Sequence, residues 1–132
     1  MKLLTAKQKE KLIDAYRKNM MLSNANVKHR EDKIENSKAI VKLFNPTGAG
    51  TWYLSELNPE TNVAFGLVHI HDWELGYIDL NELQAFKGQF GLGIERDRWF
   101  DPKTLDEIQE EIFGMNKERR NEIKEKIIQG VQ

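Results

Sequence analysis

The run Thr51-Trp52-Tyr53-Leu54-Ser55-Glu56-Leu57-Asn58-Pro59-Glu60-Thr61-Asn62-Val63-Ala64-Phe65-Gly66-Leu67-Val68-His69-Ile70 decides the fold. Thr51 to Leu57 is rich in aromatic and β-favouring types, and Asn62 to Ile70 is apolar enough for a central strand. Between them Asn58-Pro59-Glu60-Thr61 supplies turn chemistry, because proline presets φ and asparagine bonds its own backbone. Two runs joined this tightly pair antiparallel. Along the first run, period-two alternation puts Trp52, Leu54 and Glu56 on one face and Tyr53, Ser55 and Leu57 on the other.

The flanking segments extend this pair into a sheet. Upstream, Ala39 to Phe44 reads as a short strand closed by Asn45-Pro46, and Thr47-Gly48-Ala49-Gly50 turns the chain back into Thr51. Gly48 or Gly50 is expected to take a positive φ there. A phosphate-binding loop would need a following Lys-Ser/Thr and a helix N-terminus, whereas Trp52-Tyr53 follow. Downstream, Leu75 to Asp79 gives a fourth strand, and Ile94 to Phe100 a fifth strand or an extended loop ended by Asp101-Pro102. The expected centre is an antiparallel meander of four to five strands.

Helices bracket the sheet. Thr5 and Gln8 have capping-box spacing, so a helix is expected from Ala6 to Leu22, with Leu12, Ile13, Tyr16 and Met20 on its apolar side. Residues 23–37 carry only Val27 and Ile34 as large apolar side chains and read as a flexible linker. Asp79 and Glu82 start a short helix from Leu80 to Phe86, which Gly88, Gly91 and Gly93 break. Thr104 and Glu107 repeat the capping box ahead of Leu105, Ile108 and Ile112; Gly114 interrupts, and residues 116–129 continue as an amphipathic helix. The fold class is α+β, organised as one domain: a basic helix over 1–22, a linker over 23–37, a β-rich body over 38–102 and a helical tail over 103–132.

Charge divides along the chain. Residues 1–44 carry 11 basic and 5 acidic side chains, a net of +6, while residues 45–102 carry 3 against 9, a net of −6, so the formal total of −1 conceals a polar split. There is no cysteine, hence neither a disulfide framework nor a thiolate metal site, as expected of a reducing cytoplasm. The N-terminus offers only Leu3-Leu4 before lysines intervene, far from a secretory or membrane-spanning run.

Several constellations are chemical candidates. His69 and His71 sit two apart on a strand, facing one way near Asp72 and Glu74, but His29 lies in the linker and no third ligand is evident, so a polar strand end is expected and no metal or other cofactor. Glu56, Glu74, Asp79, Glu95 and Asp97 could serve a metal or proton transfer only if they converge; a solvated acidic rim is the expectation. No serine or cysteine stands in a nucleophile motif. Most of the aromatic residues read as core and rim of the sheet, while Arg96-Asp97-Arg98-Trp99-Phe100 concentrates types that dominate protein interfaces. Lys7, Lys11, Arg17, Lys18, Lys28 and Arg30 form a basic set suited to weak electrostatic contact with RNA or DNA rather than to sequence reading.

The strings Met1-Lys2-Leu3-Leu4-Thr5, Val41-Lys42-Leu43-Phe44, Gly50-Thr51-Trp52, Glu56-Leu57, Phe65-Gly66-Leu67, Glu74-Leu75-Gly76-Tyr77 and Ile94-Glu95-Arg96-Asp97 together resemble the domain-of-unknown-function 2958 family, from Met1 to about Phe100. The resemblance implies a setting in plasmids, conjugative elements and phages, near anti-restriction and transfer genes, with no established catalytic activity. It does not call for histidine at 69 or 71, whereas Glu56, Glu74, Glu95, Arg96 and Asp97 match motif positions. With Arg98 and Trp99 these form the expected binding set. The functional expectation is a non-enzymatic accessory protein of a mobile element, an anti-defence inhibitor of the anti-CRISPR type that binds a host nuclease or its guide RNA in the cytoplasm, away from membranes. The alternatives are a carboxylate- and metal-dependent enzyme acting on nucleic acid, and a plasmid transfer or maintenance factor.

Overall fold

A computed structural model of the protein describes residues 2–23 and 37–114. Its elements are α1 (Ala6–Ser23), β1 (Lys38–Ala39), β2 (Val41–Phe44), β3 (Thr51–Asn58), β4 (Val63–His69), β5 (Trp73–Asp79), α2 (Leu80–Ala85), a 3-10 turn (Gln89–Gly91), β6 (Glu95–Arg96), β7 (Lys103–Thr104) and α3 (Leu105–Phe113). The five-stranded antiparallel sheet has the order β5-β4-β3-β2-β6. Strands β2 to β5 run as a meander, and β6 returns to close the opposite edge by pairing with β2. The fold is therefore α+β, as the sequence indicates. The expected linker over 23–37 and the helix over 116–129 fall almost wholly outside the described residues, as do Lys28 and Arg30.

All three capping signals act as read. The Thr5 hydroxyl accepts from the Gln8 amide at 3.1 Å while the Gln8 side chain accepts from the Thr5 amide at 3.0 Å. Thr104 and Glu107 form the same reciprocal box at α3. At α2, the Asp79 carboxylate accepts from the amides of Asn81 and Glu82. Each cap satisfies amides that the first helical turn leaves open.

The sheet buries side chains on both faces. One core joins Leu3 and Leu12 with Val41, Leu43, Trp52, Leu54, Leu57, Ala64, Ile78 and Leu80, under the N-terminal segment, α1 and α2. The other joins Tyr53 and Leu67 with Ala39, Leu105 and Ile108, under α3. With a core on each side, β3 is buried from Trp52 to Leu57.

Four local expectations need correction. Strict alternation along β3 fails because the register slips between Leu54, which opposes Gly66, and Glu56, which opposes Phe65. This bulge moves Leu57 into the core of Trp52 and Leu54 and turns Glu56 away from them. Gly66 makes the crowding possible, since a Cβ there would overlap the Tyr53 carbonyl. The strand expected over Ala39 to Phe44 breaks at Ile40, whose amide instead bonds Leu54 O at 2.8 Å. Its detached start, β1, pairs with β7, so Lys103 and Thr104 belong to a two-stranded ribbon rather than to the helical tail. Strand β5 begins at Trp73, two residues before the expected Leu75. Ile94 to Phe100, open between strand and extended loop, is both: Glu95–Arg96 is strand and the rest is not.

Candidate interaction site at the β6 edge

Strand β6 leads into the run Arg96 to Phe100 that the sequence marks as a contact candidate, and the structure divides its labour. Arg96 lies opposite Leu43, and its Nη1 donates to Leu3 O at 3.0 Å and Lys2 O at 3.3 Å, fastening the segment before α1 to the sheet edge. Asp97 fastens the turn that follows. Its amide donates to Lys42 O at 2.9 Å, its Oδ1 accepts from the Trp99 amide at 2.9 Å, and its Oδ2 lies 3.7 Å from Lys42 Nζ. Phe100 closes the turn by docking on Tyr53, with ring centroids 5.5 Å apart. Between these anchors Arg98 is exposed and Trp99 is 92% exposed.

That exposure sets Trp99 apart from the aromatic residues that pack. Trp52 and Tyr53 are buried, His69 stacks on Trp73 with centroids 4.5 Å apart, and Trp73 meets Tyr53 at 6.0 Å. A tryptophan projecting fully into solvent is unusual, and here it stands on a turn already held in place. Beside it, Phe44, Glu95, Arg98 and Trp99 border a groove of about 360 Å³. A second concavity of about 590 Å³ shares Phe44 and Asp97 and continues over Lys42, the turn at residues 45–50 and His69. The turn itself is built by Asn45, whose amide donates to Gly50 O at 2.9 Å, and by Gly50 at a φ of 136°.

The carboxylates do not converge. Glu74 is exposed on β5, at the opposite edge from Glu95 and Asp97, and Glu56 lies buried on central β3, 7% exposed. Among the described residues no group of three or more His, Asp or Glu side chains is placed to hold a metal ion. His71 is exposed in the turn after β4. On α1, Lys7, Lys11, Arg17 and Lys18 all lie exposed. Leu12 is buried and Ile13 and Tyr16 half-buried, but Met20 of the expected stripe is 39% exposed.

Two features escaped the sequence reading. Asn19 donates to Glu56 Oε1 at 2.7 Å, placing a polar side chain where α1 meets the sheet; its spacing of three and seven from Tyr16 and Leu12 is the signal that could have found it. Phe90 is 92% exposed at a φ of 60°, in a loop where Phe86 and Leu92 are also exposed. Gly88 in that loop abuts Thr47, so the loop adjoins the turn at residues 45–50.

Fold and site together define a small α+β protein that presents an exposed tryptophan, Trp99, on a turn held by Asp97 and Phe100. Residues 3–108 match the family described as protein of unknown function (DUF2958), and the chain belongs to that family. No curated protein and no solved structure matches it. Among the described residues, no helix is long and apolar enough to cross a membrane.

Proposed function

We propose that this protein is a non-enzymatic, stoichiometric binder that inhibits a host defence nuclease, in the manner of an anti-CRISPR protein, as an accessory of a mobile element. The observation that carries this reading is Trp99, 92% exposed on a turn pinned by Asp97 and Phe100. Tryptophan and arginine dominate binding energy where they enter a partner's pocket, and a preorganised turn reduces the ordering cost of doing so. The dispersal of Glu56, Glu74 and Glu95 over both edges and the centre of the sheet favours contact over carboxylate chemistry. The mobile-element setting that the family resemblance implies supplies the kind of partner, and an effector protein is favoured over its guide RNA because Trp99 and Arg98 suit a protein pocket. The exposed cations of α1 supply an accessory RNA contact, readable as affinity that falls with salt.

Plasmid-interference assays against a panel of host defence systems test this. Expression of the protein restores plasmid establishment in at least one system, and Trp99→Ala with Arg98→Ala abolishes the rescue at an unchanged thermal midpoint. No rescue in any system, or equal rescue by the double variant, overturns it.

A further inference from the structure

The two edges of the sheet are built differently. Strand β6 is two residues long, whereas β5 runs seven residues, Trp73 to Asp79, in unbroken register with β4. Among the described residues nothing pairs with its other edge. The ladder fixes which backbone groups face outward. Leu80 N donates to Asn62 O at 3.2 Å, continuing the register in which Asp79 opposes Val63, so Ile78, Gly76 and Glu74 are the residues whose amides and carbonyls are spent on β4. Trp73, Leu75 and Tyr77 aim theirs away from the sheet. An edge left this way is a template for another strand, and the usual safeguards are missing, since β5 has no proline, lysine or bulge. We propose that a second copy of this chain pairs with it, β5 against β5, antiparallel about a two-fold axis at Gly76, so that two five-stranded sheets become one.

Gly76 decides the occupant. A Cβ built there would meet nothing within 4 Å, and its φ is not positive, so the fold of one chain gives no reason for a glycine in mid-strand. Glycine inside a strand otherwise marks a bulge or the close approach of another backbone, and β5 has no bulge. About the proposed axis Gly76 faces the partner's Gly76 at a non-hydrogen-bonded position, where strands come closest, with Cα atoms about 4.5 Å apart. Leu75 exchanges both backbone hydrogen bonds with the partner's Tyr77, and the Tyr77 side chain, 72% exposed in one copy, gains an apolar neighbour. Trp73 stands opposite the partner's Asp79 and Glu74 opposite the partner's Ile78, so no two carboxylates oppose each other. A formal charge of −1 leaves little overall repulsion between copies. This register uses all seven residues of β5 and is self-complementary, as an isologous contact requires. Trp99 follows β6 at the opposite edge, so the pairing is independent of the inhibitory reading and either can fail alone.

The test is sedimentation of the full chain over concentrations up to the millimolar range, read together with amide hydrogen exchange. The proposal expects a monomer–dimer equilibrium in which the Leu75 and Tyr77 amides exchange at least tenfold more slowly at high concentration than at low. Gly76→Lys finds open space in one chain but sets two cations face to face in the pair, so it should keep the thermal midpoint of the dilute protein and remove the dimer. Because the chain has no cysteine, Gly76→Cys adds a single thiol per copy, and mild oxidation should crosslink it as a dimer, whereas Tyr77→Cys, displaced from the axis, should stay uncrosslinked. A monomer at every concentration overturns the proposal. Amides at Leu75 and Tyr77 that are then open to solvent leave the edge to a different partner, and protected ones give it to another segment of this chain. A dimer untouched by Gly76→Lys, or one in which Tyr77→Cys crosslinks and Gly76→Cys does not, overturns it as well.

Discussion

Asp97 and Trp99 stand two residues apart and do opposite jobs. Asp97 spends its hydrogen bonds on the molecule itself, accepting from the Trp99 amide at 2.9 Å, while Trp99 offers its ring to solvent. Removing the acceptor should therefore act at a distance of two residues. Asp97→Ala is expected to cost about 1–2 kcal/mol, read as a lower urea midpoint, and to weaken partner binding although Trp99 is intact. Asp97→Asn keeps an oxygen acceptor for the turn and should retain binding; the Lys42 contact at 3.7 Å is half-exposed and contributes little. The sequence marked Arg96 to Phe100 as a unit, because residue type is all that a string displays. It could not separate the anchors from the presented pair, since the partners of Arg96 are backbone carbonyls of Lys2 and Leu3, more than ninety positions away.

Elements whose signals are local were the legible ones. The capping residues of α1, α2 and α3 lie within three positions of the amides they satisfy, and each was visible as a spacing. The β1–β7 ribbon was not, because two-residue strands have no period and their pairing joins Lys38 to Thr104. The bulge in β3 went unread, although the string holds a signal for it. A glycine inside an apolar strand signals a close backbone approach, and Gly66 lies in Asn62 to Ile70 for that reason. Gly66→Ala is expected to destabilise by about 3 kcal/mol, since the new methyl meets the Tyr53 carbonyl rather than a yielding side chain. Differential scanning calorimetry would read it as a midpoint several degrees lower.

On the scale of the molecule, the charge split acquires a geometry. The exposed cations of α1 belong to the basic segment, and the acidic segment supplies the sheet with Glu74 at one edge and Glu95 and Asp97 at the other. Carboxylates at opposite edges of a sheet cannot share one ion or one proton, whereas separate charged and aromatic surfaces can meet separate parts of a large partner. Topology therefore bears on function here more than any single motif does. The most direct measurement is a titration of the purified defence nuclease that the interference assay identifies, with cleavage followed as inhibitor is added. The binding reading predicts complete inhibition at one inhibitor per nuclease, insensitivity to pre-treating the inhibitor with EDTA and then removing the chelator, and loss with Trp99→Ala and Arg98→Ala. Inhibition at far less than one equivalent, abolished by that treatment and unaffected by the double variant, would contradict it.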